Sequence, residues 1–255
     1  MFKRLSILGY GAFSYIVFFM SFCYFIGFVG NIWVPKGIDA AATMPFWQAL
    51  AIDVSLILLF VVPHSIMARP AFKNWLTQHI PHAIERSTFV LSASCLLIIL
   101  MGFWQPLGGV VWQVENSNVI IALYSIFTIG VCLVFLATFL INHFDLFGLR
   151  QVWLAFRNKP YTNLKFSIPF LYRLSRHPLY LGFVIMLWAA PVMSITHLVL
   201  ASLFTIYIII AIQFEERDLV TIFGEKYRDY QKQVPMLIPW FKIRNKSTTT
   251  KVKAA

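Results

Sequence analysis

Four stretches of this chain are too long and too poor in charge to be anything but helices in hydrocarbon. They fall at about residues 8–34, 45–68, 87–105 and 119–142. At ~1.5 Å of rise per residue, each is long enough to cross a bilayer core ~30 Å thick. A soluble fold is no alternative, because only 12% of the 255 residues are charged and mean hydropathy is +0.74. A fifth apolar stretch, 178–214, carries Pro191 near its middle. Proline breaks a helix there, so the stretch reads as two short helices joined around "AAPVMSITH". The expectation is an all-α integral membrane protein with four spanning helices plus a C-terminal helical hairpin. That makes five to six transmembrane segments, accompanied by cytoplasmic amphipathic helices.

Orientation follows from Lys and Arg, which are retained on the cytoplasmic side. Lys3 and Arg4 precede the first run, and Arg69, Lys73 and Arg86 separate the second from the third. Arg150, Arg157, Lys159, Lys165, Arg173 and Arg176 follow the fourth, and only Lys36 falls on the other side. Both termini are therefore expected in the cytoplasm. The formal net charge of +11 belongs mainly to one face, where it suits anionic head groups of the lipid bilayer rather than nucleic acid. The first run is too long for a signal-peptide core and no A-x-A-like site follows it, so it is expected to remain as an anchor. Cys23, Cys95 and Cys132 lie in apolar runs without C-x-x-C spacing, which indicates neither a disulfide frame nor a metal site. Three units are expected: a bundle over 1–142, a cytoplasmic-face catalytic region over 143–244, and a disordered tail over 245–255.

Ionisable groups inside hydrocarbon are costly and mark function or internal pairing. Asp53 reads as a structural hydrogen-bonding group. His64, toward the cytoplasmic end of the second run, reads either as structural or as facing a cavity. The densest polar constellation is 142–182, "NHFDLFGLRQVWLAFRNKPYTNLKFSIPFLYRLSRHPLYLG". Its many aromatic and leucine residues imply a segment packed on the membrane face as a roof. Arg157, Lys159 and Lys165 read as snorkelling surface charges. His143 and Asp145, an imidazole near an acid under that roof, read as a tuned proton acceptor.

Further on, "QFEERDLVTIFGEKYRDYQKQVP" places Glu215 and Glu216 in the last turn of an uncharged helix. Neighbouring helical residues diverge by ~100°, so one carboxylate can face a cavity and the other water or Arg217. Leu219, Phe223, Tyr227 and Tyr230 form a stripe at helical spacing. In "SRHPLYLG", Pro178 favours a helix start, whose free N–H groups attract a carboxylate. His177 and Tyr180 frame that start, and Gly182 admits a close approach to the backbone.

"SRHPLYLG" followed about 35 residues later by "EERDLVTIFGEKYRDYQKQVP" resembles the signature of the isoprenylcysteine carboxyl methyltransferase and phospholipid methyltransferase superfamily of membrane enzymes. The four upstream spans and "NHFDLFGLRQVW" are similar to its methanethiol S-methyltransferase branch, with NnrU-like proteins as neighbours. The resemblance implies S-adenosyl-L-methionine as methyl donor. It puts Arg176, His177, Pro178, Tyr180, Leu181 and Gly182 on one wall of the cofactor site and Glu215 and Glu216 on the other, covered by the Tyr227–Tyr230 helix. No Rossmann domain is expected, since no soluble domain holds a glycine-rich nucleotide loop.

A sulfonium cation suits carboxylates and aromatic faces, and the donor's own carboxylate suits Arg176 or helix-start N–H groups. For a small thiol acceptor such as methanethiol, the thiolate is the nucleophile. His143 is expected to take the proton, with Asp145 orienting it or serving as the base itself, while Tyr172 or Tyr180 orients the sulfur. Arg176 and Tyr180 thus join His143 and Asp145 as the catalytic set. A lipid amine or prenylcysteine carboxylate acceptor, and a non-enzymatic membrane accessory or transport protein, are the competing readings. The membrane expected is the bacterial cytoplasmic membrane; the sequence is silent on oligomeric state.

Overall fold

Proline, asparagine and glycine punctuate the chain and mark many of the helix ends. A computed structural model describes residues 1–162 and 166–239, so Lys165 and the 245–255 tail lie outside the described residues. Helix α1 (Phe2–Gly30) begins earlier than hydropathy alone suggests, taking Lys3 and Arg4 into its first turn. It stops where Asn31 turns left-handed at φ 52°. Helices α2 (Phe46–Ala68) and α3 (Pro70–Leu76) are parted by the extended Arg69 ahead of Pro70. Helix α4 (His82–Phe103) follows. Helix α5 (Ser117–Ile141) starts at Asn116, whose side chain accepts the N–H groups of Asn118 and Val119.

The roof consists of α6 (His143–Leu146) and α7 (Leu149–Phe156), joined at Gly148 with φ 87°. A side chain at Gly148 would come within 2.7 Å of the Ser87 hydroxyl. Val152 of α7 is fully buried against Gly11 of α1, so this roof packs on the bundle itself.

The hairpin departs from expectation. Its arms are unequal: α8 (Pro178–Trp188) has 11 residues, whereas α9 (Ile195–Phe223) has 29. The first rises about 16 Å, half a bilayer, and the second about 43 Å. Among the described residues, the helices long and apolar enough to cross a membrane are α1, α2, α4, α5 and α9. The turn around Pro191 is not a loose link. Val192–Ser194 forms strand β2, antiparallel to β1 (Val110–Gln113). Trp112 also donates its indole N–H to the Ala190 carbonyl. Backbone groups freed at the break are thereby satisfied, as hydrocarbon requires. These two strands are the only ones among the described residues, and no Rossmann fold is present there.

Helix α8 reaches deep into the bundle by sliding against α5. A side chain on Gly130 would sit 2.9 Å from the Gly182 carbonyl, and one on Gly182 would sit 2.7 Å from the Gly130 carbonyl. Small residues let the two backbones touch. One core runs through Phe22, Phe25, Trp104, Phe127, Met186, Leu187, Leu200 and Phe204, and so crosses the boundary expected at 142. At the polar end opposite the basic residues, Asp53 accepts the Gln105 backbone N–H at 2.8 Å, the structural role anticipated for it. Beyond α9, Gly224 (φ 60°) redirects the chain into the amphipathic α10 (Glu225–Gln233).

Candidate functional site

The start of α8, the end of α9 and the buried face of α10 converge at the basic end of the bundle. Pro178 occupies the first position of α8, and the first turn takes no side-chain cap. Just before it, the Arg176 and His177 backbone N–H groups donate to the Pro235 and Met236 carbonyls at 3.0 and 3.2 Å. The chain after α10 is thereby tied to the helix start.

Glu216 is the hub. Its carboxylate receives Arg176 Nε at 2.6 Å and Nη2 at 3.2 Å, His177 Nε2 at 3.0 Å and Gln231 Nε2 at 2.8 Å. The Tyr227 hydroxyl stands at 3.5 Å. Arg176 is also fully used, since Nη1 donates to the Gln231 and Val234 carbonyls at 3.0 and 2.6 Å and so caps α10. Burial, and after it the nearby carboxylates, push the Tyr227 hydroxyl up; burial also raises Tyr230. Both therefore stay protonated donors: Tyr230 gives its hydrogen to the Tyr172 carbonyl at 2.5 Å. Gln231 was not singled out from sequence, although it follows Tyr227 by four residues and shares its helix face.

Glu215 is different. The Tyr180 hydroxyl donates to its Oε2 at 2.8 Å, and His177 Nδ1 lies 4.0 Å from the same atom. Oε1 has no hydrogen-bond partner among the described residues, and the side chain is 41% exposed against 10% for Glu216. The divergence expected of adjacent helical carboxylates is resolved here: Glu216 is consumed by structure and Glu215 keeps a free oxygen. Around it, Tyr180, Tyr207 of α9, Arg69 and Glu215 interact electrostatically. Arg69 in turn pairs with Asp218 at 2.9 Å.

Several expected wall residues sit otherwise. Arg176 is not open to a ligand carboxylate, because Glu216 and two carbonyls occupy its guanidinium. Gly182 is buried against Gly130, so what approaches it is α5. Leu181 is half-buried and Pro178 buried within the same helix.

His143 and Asp145 are both buried but do not meet through hydrogen bonds. Asp145 takes Arg150 Nη1 at 2.8 Å and the Tyr161 hydroxyl at 3.2 Å. Burial and then that carboxylate push the Tyr161 hydroxyl up. His143 bonds to the Tyr15 hydroxyl through Nε2 and to Thr138 Oγ1 through Nδ1, each at 2.8 Å. Asp145 therefore does not orient His143, and neither ring nitrogen is left for a substrate. Tyr15 and Thr138 were invisible to sequence reasoning because their partner lies on another element or beyond the end of α5.

A cavity of about 330 Å³ opens at the far end of the bundle, lined by Asn31, Asp39, Tyr124, Phe127 and His197 among others. Along α9, His197 and Glu215 are ~27 Å apart, so this cavity is separate from the carboxylate cluster.

A family model described as a protein of unknown function (DUF1295) matches residues 69–234. A methanethiol S-methyltransferase from Crocosphaera subtropica is 49% identical over 238 residues, covering 93% of this chain and 93% of its own. One from Mycobacterium tuberculosis is 48% identical over 238 residues, covering 93% and 98%. Nurim from Xenopus laevis is 30% identical over 190 residues, covering 71% of this chain and 66% of its own. No solved structure matches. The chain belongs to the DUF1295 family, in the branch that holds these methanethiol S-methyltransferases.

Proposed function

We propose that this protein is an S-adenosyl-L-methionine-dependent thiol S-methyltransferase that converts methanethiol to dimethyl sulfide at the cytoplasmic side of a bacterial inner membrane, with both termini in the cytoplasm. The observation that carries the reading is the free oxygen of Glu215. It is a half-exposed carboxylate held by Tyr180 beside a neighbour whose own charge is already matched. A carboxylate in that position suits a sulfonium cation, and the aromatic ring of Tyr180 adds a second favourable face. The names of the relatives supply the acceptor, and the crowding of basic residues at this end supports the orientation.

When bound, the donor supplies a methyl group made electrophilic by its sulfonium sulfur. Everything else is the work of this chain. Glu215 balances the cationic sulfur, and Tyr180 fixes the carboxylate's direction. The uncapped first turn of α8 offers N–H groups to the donor's own carboxylate, a task that Arg176 is not free to perform. Arg176, His177, Glu216 and Gln231 hold the two helix ends and α10 at fixed separation, so that nucleophile and methyl carbon meet with little loss of freedom. Methanethiol crosses lipid and needs only a small apolar approach.

The test uses the full chain purified in detergent. Calorimetry should show binding of S-adenosylhomocysteine, and headspace gas chromatography should show dimethyl sulfide when methanethiol and donor are supplied. Binding without dimethyl sulfide, but with methylation of a lipid amine or prenylcysteine, would move the acceptor. No binding at all would end the methyltransferase reading.

A further inference from the structure

The thiol proton needs an acceptor, and His143 has no nitrogen to give it. Another imidazole does. His64 lies in α2 directly after Pro63, about one turn before the helix ends. Its ring stacks on Phe60 at 5.3 Å, leans on Phe89 of α4 at 5.0 Å and meets Tyr207 of α9 edge-on at 6.4 Å. Its Nδ1 is buried with no hydrogen-bond partner, and Nε2 has none among the described residues. By contrast, His143, His177 and His197 all use at least one ring nitrogen in a hydrogen bond. An unpartnered buried polar group costs stability. One retained beside a cluster of functional groups points to a ligand.

That cluster is close. Tyr207, the residue against which His64 packs, interacts electrostatically with both Tyr180 and Glu215. Ser65, next to His64, donates its hydroxyl to Tyr207 at 3.2 Å. His64 therefore stands on the apolar flank of the wall proposed to hold the sulfonium, inside an aromatic surround suited to a one-carbon thiol. The charged and titratable groups facing it are Arg86 from α4 and Tyr207 from α9.

We infer that His64 is the base that ionises the acceptor thiol, an inference that rests on the thiol methyltransferase reading above. The S–H proton moves to a ring nitrogen, and the thiolate forms a new carbon–sulfur bond to the donor methyl. The methyl–sulfonium bond breaks with its electron pair left on the donor sulfur, giving neutral S-adenosylhomocysteine and dimethyl sulfide. The imidazolium then returns its proton to water.

Turnover is measured against pH for the parent, His64→Gln and His64→Asn, alongside S-adenosylhomocysteine binding. The parent rate should level off once the imidazole is neutral. The variants should bind S-adenosylhomocysteine within about twofold of the parent. They should turn over methanethiol about 10²–10⁴-fold more slowly near neutrality, and recover about tenfold per pH unit as solvent ionises the thiol. With a more acidic thiol, such as trifluoroethanethiol, most of the deficit should vanish. Variants that match the parent in rate and pH profile remove His64 from the reaction. So does a parent rate that itself climbs about tenfold per unit through pH ~9, a result that requires no variant to fold. A parent that neither binds S-adenosylhomocysteine nor makes dimethyl sulfide fails the reading beneath the inference instead.

Discussion

Arg176 and Glu216 meet side-on, Nε to Oε1 at 2.6 Å and Nη2 to Oε2 at 3.2 Å, with each side chain only 10% exposed. Forty residues separate them in sequence, so this pair is what fixes the start of α8 against the end of α9. Removing either partner strands a buried charge. Arg176→Ala and Glu216→Ala should each cost about 3–5 kcal/mol. Arg176→Lys should rescue little, because an ammonium cannot make the paired contact and also cap α10. Thermal unfolding in detergent would check this. The double variant should lose much less than the sum of the two singles. A strictly additive loss contradicts the coupling.

Glu215→Gln separates charge from shape. The amide keeps a hydrogen-bond acceptor for Tyr180 but cannot balance a cation. Affinity for the sulfonium donor should fall about tenfold or more, equivalent to ~1.4 kcal/mol, while affinity for neutral S-adenosylhomocysteine changes little. Paired calorimetric titrations give both numbers. Equal losses for the two ligands would show that Glu215 does not face the sulfur.

Gly182→Ala tests the α5–α8 crossing independently of any ligand. The added carbon would lie 2.7 Å from the Gly130 carbonyl and 2.8 Å from Val134, closer than the packing allows. Backbone on one side leaves no flexible group to yield, so a loss of about 1–3 kcal/mol is expected. Gly9→Ala in α1, where nothing lies within 4 Å, is the matched control and should leave the unfolding temperature unchanged or slightly raised, since alanine suits a helix interior better than glycine.

Hydropathy located four spans to within a few residues, because a run of apolar side chains has only one way to satisfy its backbone in lipid. It also found the hairpin, but not the proportions of its two arms. Residues 178–214 hold enough apolar length for two arms, but Pro178 and Pro191 cut the first arm to 11 residues, and α9 runs on past Glu215 and Glu216 to Phe223. The carboxylates and the Arg-His-Pro segment were legible as a pair of motifs. Their division of labour was not, since whether Glu215 or Glu216 meets Arg176 depends on helix rotation. His143 and Asp145 looked like a dyad because they lie two positions apart, yet in a single helical turn that spacing sends side chains to different faces. Tyr15, Thr138 and Tyr207 carried no local signal, for each matters only through a partner far along the chain or on another helix.

His143 should show itself in stability rather than in turnover. The Thr138 hydroxyl gives its hydrogen to the Phe135 carbonyl at 2.7 Å, so its oxygen accepts from His143 Nδ1–H. Nε2 then holds the lone pair that takes the Tyr15 hydrogen, and the ring lies flat on Phe139 at 4.3 Å. Burial holds the His143 pKa below its ordinary value, so the folded chain resists a proton that the unfolded chain accepts. With the folded value depressed, the stabilising difference is complete above ~6.5, the unfolded value. It is lost as pH falls below that point toward the folded value. The parent should therefore unfold at progressively lower temperature as pH drops below ~6.5. His143→Gln, already destabilised at pH ~7.5 but lacking this titration, should lose less, so the gap between the two narrows on acidification. Tyr15→Phe leaves Nε2 without its donor and should cost about 1 kcal/mol with no change in the pH profile of turnover per folded molecule. A gap that stays constant with pH, or a turnover profile displaced by Tyr15→Phe, would return His143 to the chemistry and take it out of the scaffold.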